Sequence, residues 1–135
     1  MTGLGVAAAT VAASGALAQD HPEHSHAAPN QSLVNTCSAC VSTGEACLTH
    51  CQELLAHGDK SMSDCARSVR QLITVCGALL SWAAQNAPAM PKLAGVAMDA
   101  CKQCEAECMK HKSHPPCQAC AEACAAGYTE CKQVA

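Results

Sequence analysis

Aromatic side chains are almost missing from this sequence. Phe does not occur, Trp and Tyr occur once each, and aromatics make up 1% of 135 residues. An ordinary core takes much of its buried area from aromatic rings, so this chain must fill its interior with something smaller. An excess of positive charge is missing too, since the formal net charge is −3. Without a basic stripe or stacking rings, the nucleic-acid-binding classes are excluded. No apolar run is long and greasy enough for a membrane span. No Ser-His-Asp set and no nucleotide-binding loop is present, so the chain reads as a binding protein and not as an enzyme.

What the chain has instead is sulfur, with 13 Cys in 135 residues. The C-terminal part carries Cys101-x-x-Cys104-x-x-x-Cys108, then Cys117-x-x-Cys120-x-x-x-Cys124, then Cys131. Steps of three, four and seven residues return to one face of an α-helix. The same stepping recurs throughout and predicts four helices. Helix one spans about 33–57, with the seam Cys37, Cys40, Gly44, Cys47, Cys51 and Leu54, and Gly58 as its stop. Helix two starts near Ser61 or Ser63, whose hydroxyl can cap it. Its seam is Met62, Cys65, Val69, Leu72, Cys76, Leu79 and Ala83, and it ends before Pro88. Helix three opens at Pro91, a good first-turn residue, with the seam Leu93, Ala97, Cys101, Cys104, Cys108 and His111. After the break at Ser113-His114-Pro115-Pro116, helix four carries Cys117, Cys120, Cys124, Gly127, Cys131 and Val134. Glu45, Glu53, Arg67, Arg70, Lys102, Glu105, Glu122 and Lys132 fall on the outer faces. The expected fold is all-α, an up-down antiparallel four-helix bundle over residues 33–135, with cysteines lining its axis from end to end.

Several chemistries could use such a seam. A disulfide-stapled structural helical protein is one reading, because cysteine density of this kind is typical of secreted scaffolds. Against it, the count is odd, and same-face neighbours in a helix have Cβ atoms ~5–6 Å apart, beyond disulfide reach. Zinc wants closed sets of four ligands, and 13 cysteines do not divide into fours. The ferredoxin cysteine run is absent, as are the Glu-x-x-His pairs of di-iron bundles. A thioredoxin-like setting for redox work is absent as well. Soft thiolates select Cu(I). Two thiolates across one such ion sit roughly 4.5 Å apart, taking the zinc–sulfur length as a guide, which cysteines at i and i+4 can reach. One monovalent ion per thiolate also neutralises a core that could not hold bare charges. The reading is therefore multiple Cu(I) ions per chain, loaded cooperatively into a bundle that is helical without metal.

The N-terminal part reads differently. Residues 1–18 are small and weakly apolar, and Ala16-Leu17-Ala18 has the form of a signal peptidase site, though no Lys or Arg precedes it. A complete signal would carry that charge upstream of the residues given. Residues 19–32 are polar, with two prolines and His21, His24 and His26, and read as a flexible leader. Cleavage after Ala18 would leave Gln19-Asp20-His21 at the start, a nitrogen set suited to square-planar Cu(II).

Three further motifs carry a family resemblance: Cys40-Val41-x-x-Gly44-Glu45-x-Cys47-Leu48-x-His50-Cys51, Val75-Cys76-Gly77-Ala78-Leu79, and Cys117-x-Ala119-Cys120-x-Glu122-Ala123-Cys124. With Ser61-Met62-x-x-Cys65, they make residues 33–134 resemble the bacterial copper storage proteins. The resemblance implies Cu(I) storage by cysteine ligands, a homotetramer of bundles, and export to the periplasm by a twin-arginine-type signal, whose arginine pair this sequence lacks; without such a signal the chain would be cytoplasmic. Copper-requiring enzymes or copper chelators would be its recipients. A copper chaperone or a general soft-metal detoxification protein, open to Ag(I) as well, is the alternative. Capture of copper is expected at the end where the first and third turns lie, from His50, His57 and Met62, with Met109, His111 and His114 nearby. The opposite end offers Trp82, Met90 and Leu93.

Overall fold

The computed structural model describes residues 29–135. The expected export leader, its expected cleavage site and the expected Gln19-Asp20-His21 site lie outside the described residues. Four helices follow one another: α1 (Gln31–Ala56), α2 (Ser63–Ala84), α3 (Met90–Met109) and α4 (Pro115–Val134). Each packs against its neighbours in the chain, and α1 closes the ring against α4, while the backbones of the diagonal pairs stay apart. This is the up-down bundle that short loops between amphipathic helices produce.

The helix ends are decided by local chemistry. After α1, Gly58 adopts φ 93, a left-handed conformation that costs a glycine nothing. Its amide donates to the Leu55 carbonyl at 3.0 Å, and the Asp59 amide donates to the Leu54 carbonyl at 3.0 Å. That is the paired bonding of a Schellman stop. α2 ends the same way with Asn86 in the left-handed position at φ 51, and the Ala87 amide reaches back to the Trp82 carbonyl at 2.9 Å. The helix therefore stops several residues before Pro88, by an asparagine signal that the proline masked. α1 begins at Gln31, inside the stretch read as leader. Asn30, also left-handed, donates to the Ala83 carbonyl at 3.3 Å and to Asn86 Oδ1 at 3.2 Å, tying the start of α1 to the end of α2.

One capping expectation is corrected. Neither Ser61 nor Ser63 caps α2. The Asp59 carboxylate accepts from the Ser61 amide at 3.0 Å and from its hydroxyl at 2.6 Å, and so caps a single 3-10 turn over Lys60–Met62. The Ser63 hydroxyl is spent on the Lys60 carbonyl at 2.8 Å. A carboxylate is the stronger acceptor and wins the free amide. Pro115 and Pro116 do not merely break α3; they form the first turn of α4, where a missing N–H has no cost.

The core follows the expected seams closely. All thirteen cysteines are buried, none more than 2% exposed. Every expected seam residue of α2, from Met62 to Ala83, is buried. In α3 the seam runs Met90, Ala94, Ala97, Cys101, so Ala94 replaces the expected Leu93, which is half-buried. Stepping back from Cys101 by four, three and four lands on the smaller residue. The sulfur also does not run from end to end. Towards the α2–α3 loop the axis is closed by Leu33, Leu79, Ala83, Met90 and Ala94.

Candidate metal centre

The sulfurs meet because four different helices aim their seams at one axis. Cys47 and Cys51 of α1, Cys65 of α2 and Cys117 of α4 place four Sγ atoms within 4.8 Å of one another. Cys47, Cys108 and Cys120 form a second group, Cys104, Cys120 and Cys124 a third, and Cys40, Cys76 and Cys101 a fourth. Cys47 and Cys120 each belong to two groups, so three of the groups form a continuous ladder leading inward from the α1–α2 and α3–α4 turns.

The spacing fits metal and not disulfide. Sulfur pairs stand at 3.7 Å (Cys47–Cys117), 3.6 Å (Cys65–Cys108), 3.8 Å (Cys104–Cys108) and 3.9 Å (Cys104–Cys120). A disulfide needs ~2.05 Å, and all thirteen cysteines are free. Three sulfurs around one ion, with bonds of ~2.3 Å, stand ~4 Å apart. The groups are therefore preformed at close to their loaded dimensions.

Gly127 of α4 makes one of these groups possible. A Cβ at that position would lie 2.9 Å from both Cys40 Sγ and Cys101 Sγ. Any side chain there would occupy the space into which the two thiols project. Gly127 was expected on the seam, but its service to sulfur depends on α1 and α3, and nothing local to α4 signals it.

Protonation within the cluster is uneven. Burial pushes the Cys131 thiol up to about 12, with charge on Cys37 and Cys40 adding to the effect, and pushes Cys117 up to about 11. Hydrogen bonding with the sulfurs of Cys104, Cys120, Cys47 and Cys65, together with burial, holds Cys108 above the usual thiol range. Hydrogen bonds from Cys104 first, then from Cys108, Cys124 and Cys47, draw Cys120 below that range against the effect of its burial. The metal-free core thus keeps most of its sulfur protonated, which is how a dry interior tolerates it. An entering ion must displace those protons.

The family model of the copper storage proteins matches residues 11–135. The chain belongs to the copper storage protein family. It is similar to an uncharacterised cysteine-rich protein of Bacillus subtilis, YhjQ, at 29% identity over 107 residues, covering 78% of this chain and 95% of that one. A solved structure of the Cu(I)-bound copper storage protein BsCsp3 superposes with a TM-score of 0.70 at 28% identity, covering 78% of this chain and 97% of the other.

The histidines and methionines expected at the mouth of this copper storage protein are placed unequally. His50 is half-buried, and its Nε2 lies 2.9 Å from His114 Nδ1, joining α1 to the start of α4. His111 packs near His114, with ring centroids 6.4 Å apart. His57 is exposed and folds back onto its own helix, its Nδ1 2.7 Å from the Glu53 carbonyl. Met62 is fully buried in the core and Met109 is 42% exposed. At the far end Trp82 is 39% exposed and Met90 is buried. The His50–His114 contact was not foreseen, because it joins residues 64 positions apart in the chain.

Proposed function

We propose that this protein holds several Cu(I) ions per chain on its thirteen core cysteines, as a store for copper proteins or as a sink for excess copper. The observation that carries this reading is the ladder of overlapping sulfur groups, in which Cys47 and Cys120 each belong to two. A thiolate shared by two groups can bridge two ions, so one ion entering prepares the next place. Soft monovalent copper suits two or three thiolates and balances their charge. Storage of this kind needs no catalytic step. His50 and His114 are the first ligands offered at the turn end, with His57 and Met62 as secondary contributors. Imidazole and thioether need no proton release there and pass copper on to the thiolates.

Residues 1–18 are read as an export leader cleaved after Ala18, supported by its Ala-x-Ala pattern; delivery is then outside the cytoplasm. The assembly is read as a homotetramer, with copper-requiring enzymes or chelators as recipients. Among the described residues, no helix is long and apolar enough to cross a membrane.

Anaerobic Cu(I) titration of the reduced protein, read by native mass spectrometry, tests the store. Many ions per chain are expected, in a cooperative distribution. A Cys120→Ser variant should lose more ions than a Cys131→Ser variant, because Cys120 is shared and Cys131 is not. Saturation at one or two ions would overturn storage.

A further inference from the structure

One group differs in kind from the others. Cys47, Cys51, Cys65 and Cys117 supply four sulfurs within 4.8 Å of one another, whereas each remaining group supplies three. All four are fully buried. Bonds of ~2.3 Å and tetrahedral angles set neighbouring sulfurs ~3.8 Å apart around zinc, and the Cys47–Cys117 pair stands at 3.7 Å. Closed tetrahedral thiolate sets are what structural zinc takes. A three-sulfur group would leave zinc a fourth position to fill. We propose that the four-sulfur group binds one Zn(II) per chain when copper is absent.

The site sits where an occupant would matter. Cys65 is the third residue of α2 and Cys117 the third of α4, so the group lies beneath the turns at the mouth, on the outermost rung of the ladder. Three helices, α1, α2 and α4, are tied by one ion. Each ligating thiol loses its proton to solvent and no electron moves. Four thiolates around a divalent ion leave surplus negative charge, and Cys108, with its sulfur 3.6 Å from Cys65 Sγ, can donate a hydrogen bond to a ligand from just inside. Hydrogen bonds of this sort orient and tune metal-bound thiolates. Zinc on this rung would shield four thiols from oxidation while the store is empty, and incoming Cu(I), favoured by soft ligands, would displace it. The assignment rests on the four-sulfur geometry and stands independently of copper storage.

The test uses the full chain, reduced and metal-free, titrated anaerobically with Zn(II) against a chromophoric chelator, and with Co(II) as a spectroscopic substitute. One tight equivalent is expected, with the visible bands of tetrahedral cobalt–thiolate. Cys65→Ser and Cys117→Ser should each lose that equivalent, and Cys124→Ser should keep it. Circular dichroism of each variant separates a lost ligand from a lost fold, with Cys51→Ser as the further variant should either unfold. No tight equivalent, more than one, or an equal loss in Cys124→Ser overturns the site. Cu(I) titration of the zinc-loaded sample should release the zinc. Uptake of many Cu(I) by a protein that takes no Zn(II) overturns the zinc site alone, and one Zn(II) with no Cu(I) overturns storage alone.

Discussion

The two ends of this bundle are built from the same helices by opposite means. At the end of the α2–α3 loop, Leu33, Leu79, Ala83, Met90 and Ala94 close the axis with carbon. At the other end, Cys47, Cys51, Cys65, Cys108, Cys117 and Cys120 fill it with sulfur. A buried leucine contributes roughly 1.5–3 kcal/mol by leaving water. A thiol is smaller and contributes less. The carbon end thus adheres without sulfur, whereas at the sulfur end thiols are arranged for metal beside the fully buried Met62. A protein poor in aromatics can keep an open row of ligands because a minority of its core supplies most of the adhesion.

The largest effect is expected at Leu79. Leu79→Ala, fully buried at the closed end, should cost the metal-free protein about 2–5 kcal/mol, seen as a lower denaturant midpoint, with Cu(I) capacity unchanged. If Cys120→Ser at the other end destabilises the metal-free protein as much as Leu79→Ala does, the division of labour is wrong.

A smaller effect is expected at the boundary between the two regions. Gly127→Ala places a methyl 2.9 Å from the sulfurs of Cys40 and Cys101. Overpacking costs about 1–3 kcal/mol, part of it offset by the better helix propensity of alanine, up to ~1 kcal/mol. The sharper readout is copper. The variant should bind fewer ions, with the loss confined to the Cys40–Cys76–Cys101 group, while the four-sulfur group near the mouth fills normally. Full capacity in this variant would show that α4 yields and that Gly127 does not hold the space open.

The smallest effect is one of pH, and it belongs to the sulfur end and to Cys131. Cys117 and Cys131 are pushed up from 9.0 to about 11 and about 12, chiefly by burial. In the unfolded chain these thiols ionise near 9.0, and in the fold only later. The stability they contribute is therefore complete below 9.0 and is lost as the pH rises through 11 to 12. Thermal unfolding of the metal-free protein should fall across that window, while the copper-loaded protein, whose thiols have already lost their protons, should hardly respond. A flat metal-free profile would mean that the core admits water to its thiols.

Much of this was legible in the residues. The three- and four-residue steps of cysteine marked every helix and its inward face, and all thirteen cysteines are buried as that stepping requires. Gly58 marked the end of α1 for a reason local to one residue. The misses share a cause. Ser61 and Ser63 looked like caps, and only the position of Asp59 shows where the free amide goes. Leu93 looked like core because it is large, and Ala94 is core because the helix is rotated to present Cys101.

The sequence by itself determined that four helices would form, that sulfur would face inward, and that soft metal would be its partner, because periodicity and ligand type are properties of single segments. Tertiary structure alone decided which cysteines meet. That Cys47 stands 3.7 Å from Cys117, that Cys120 is shared while Cys131 is not, that Gly127 faces Cys40 and Cys101, and that His50 finds His114 all depend on the axial offset and rotation of one helix against another. Those offsets are set jointly by packing at the closed end and by the turns, and no stretch of chain encodes them alone.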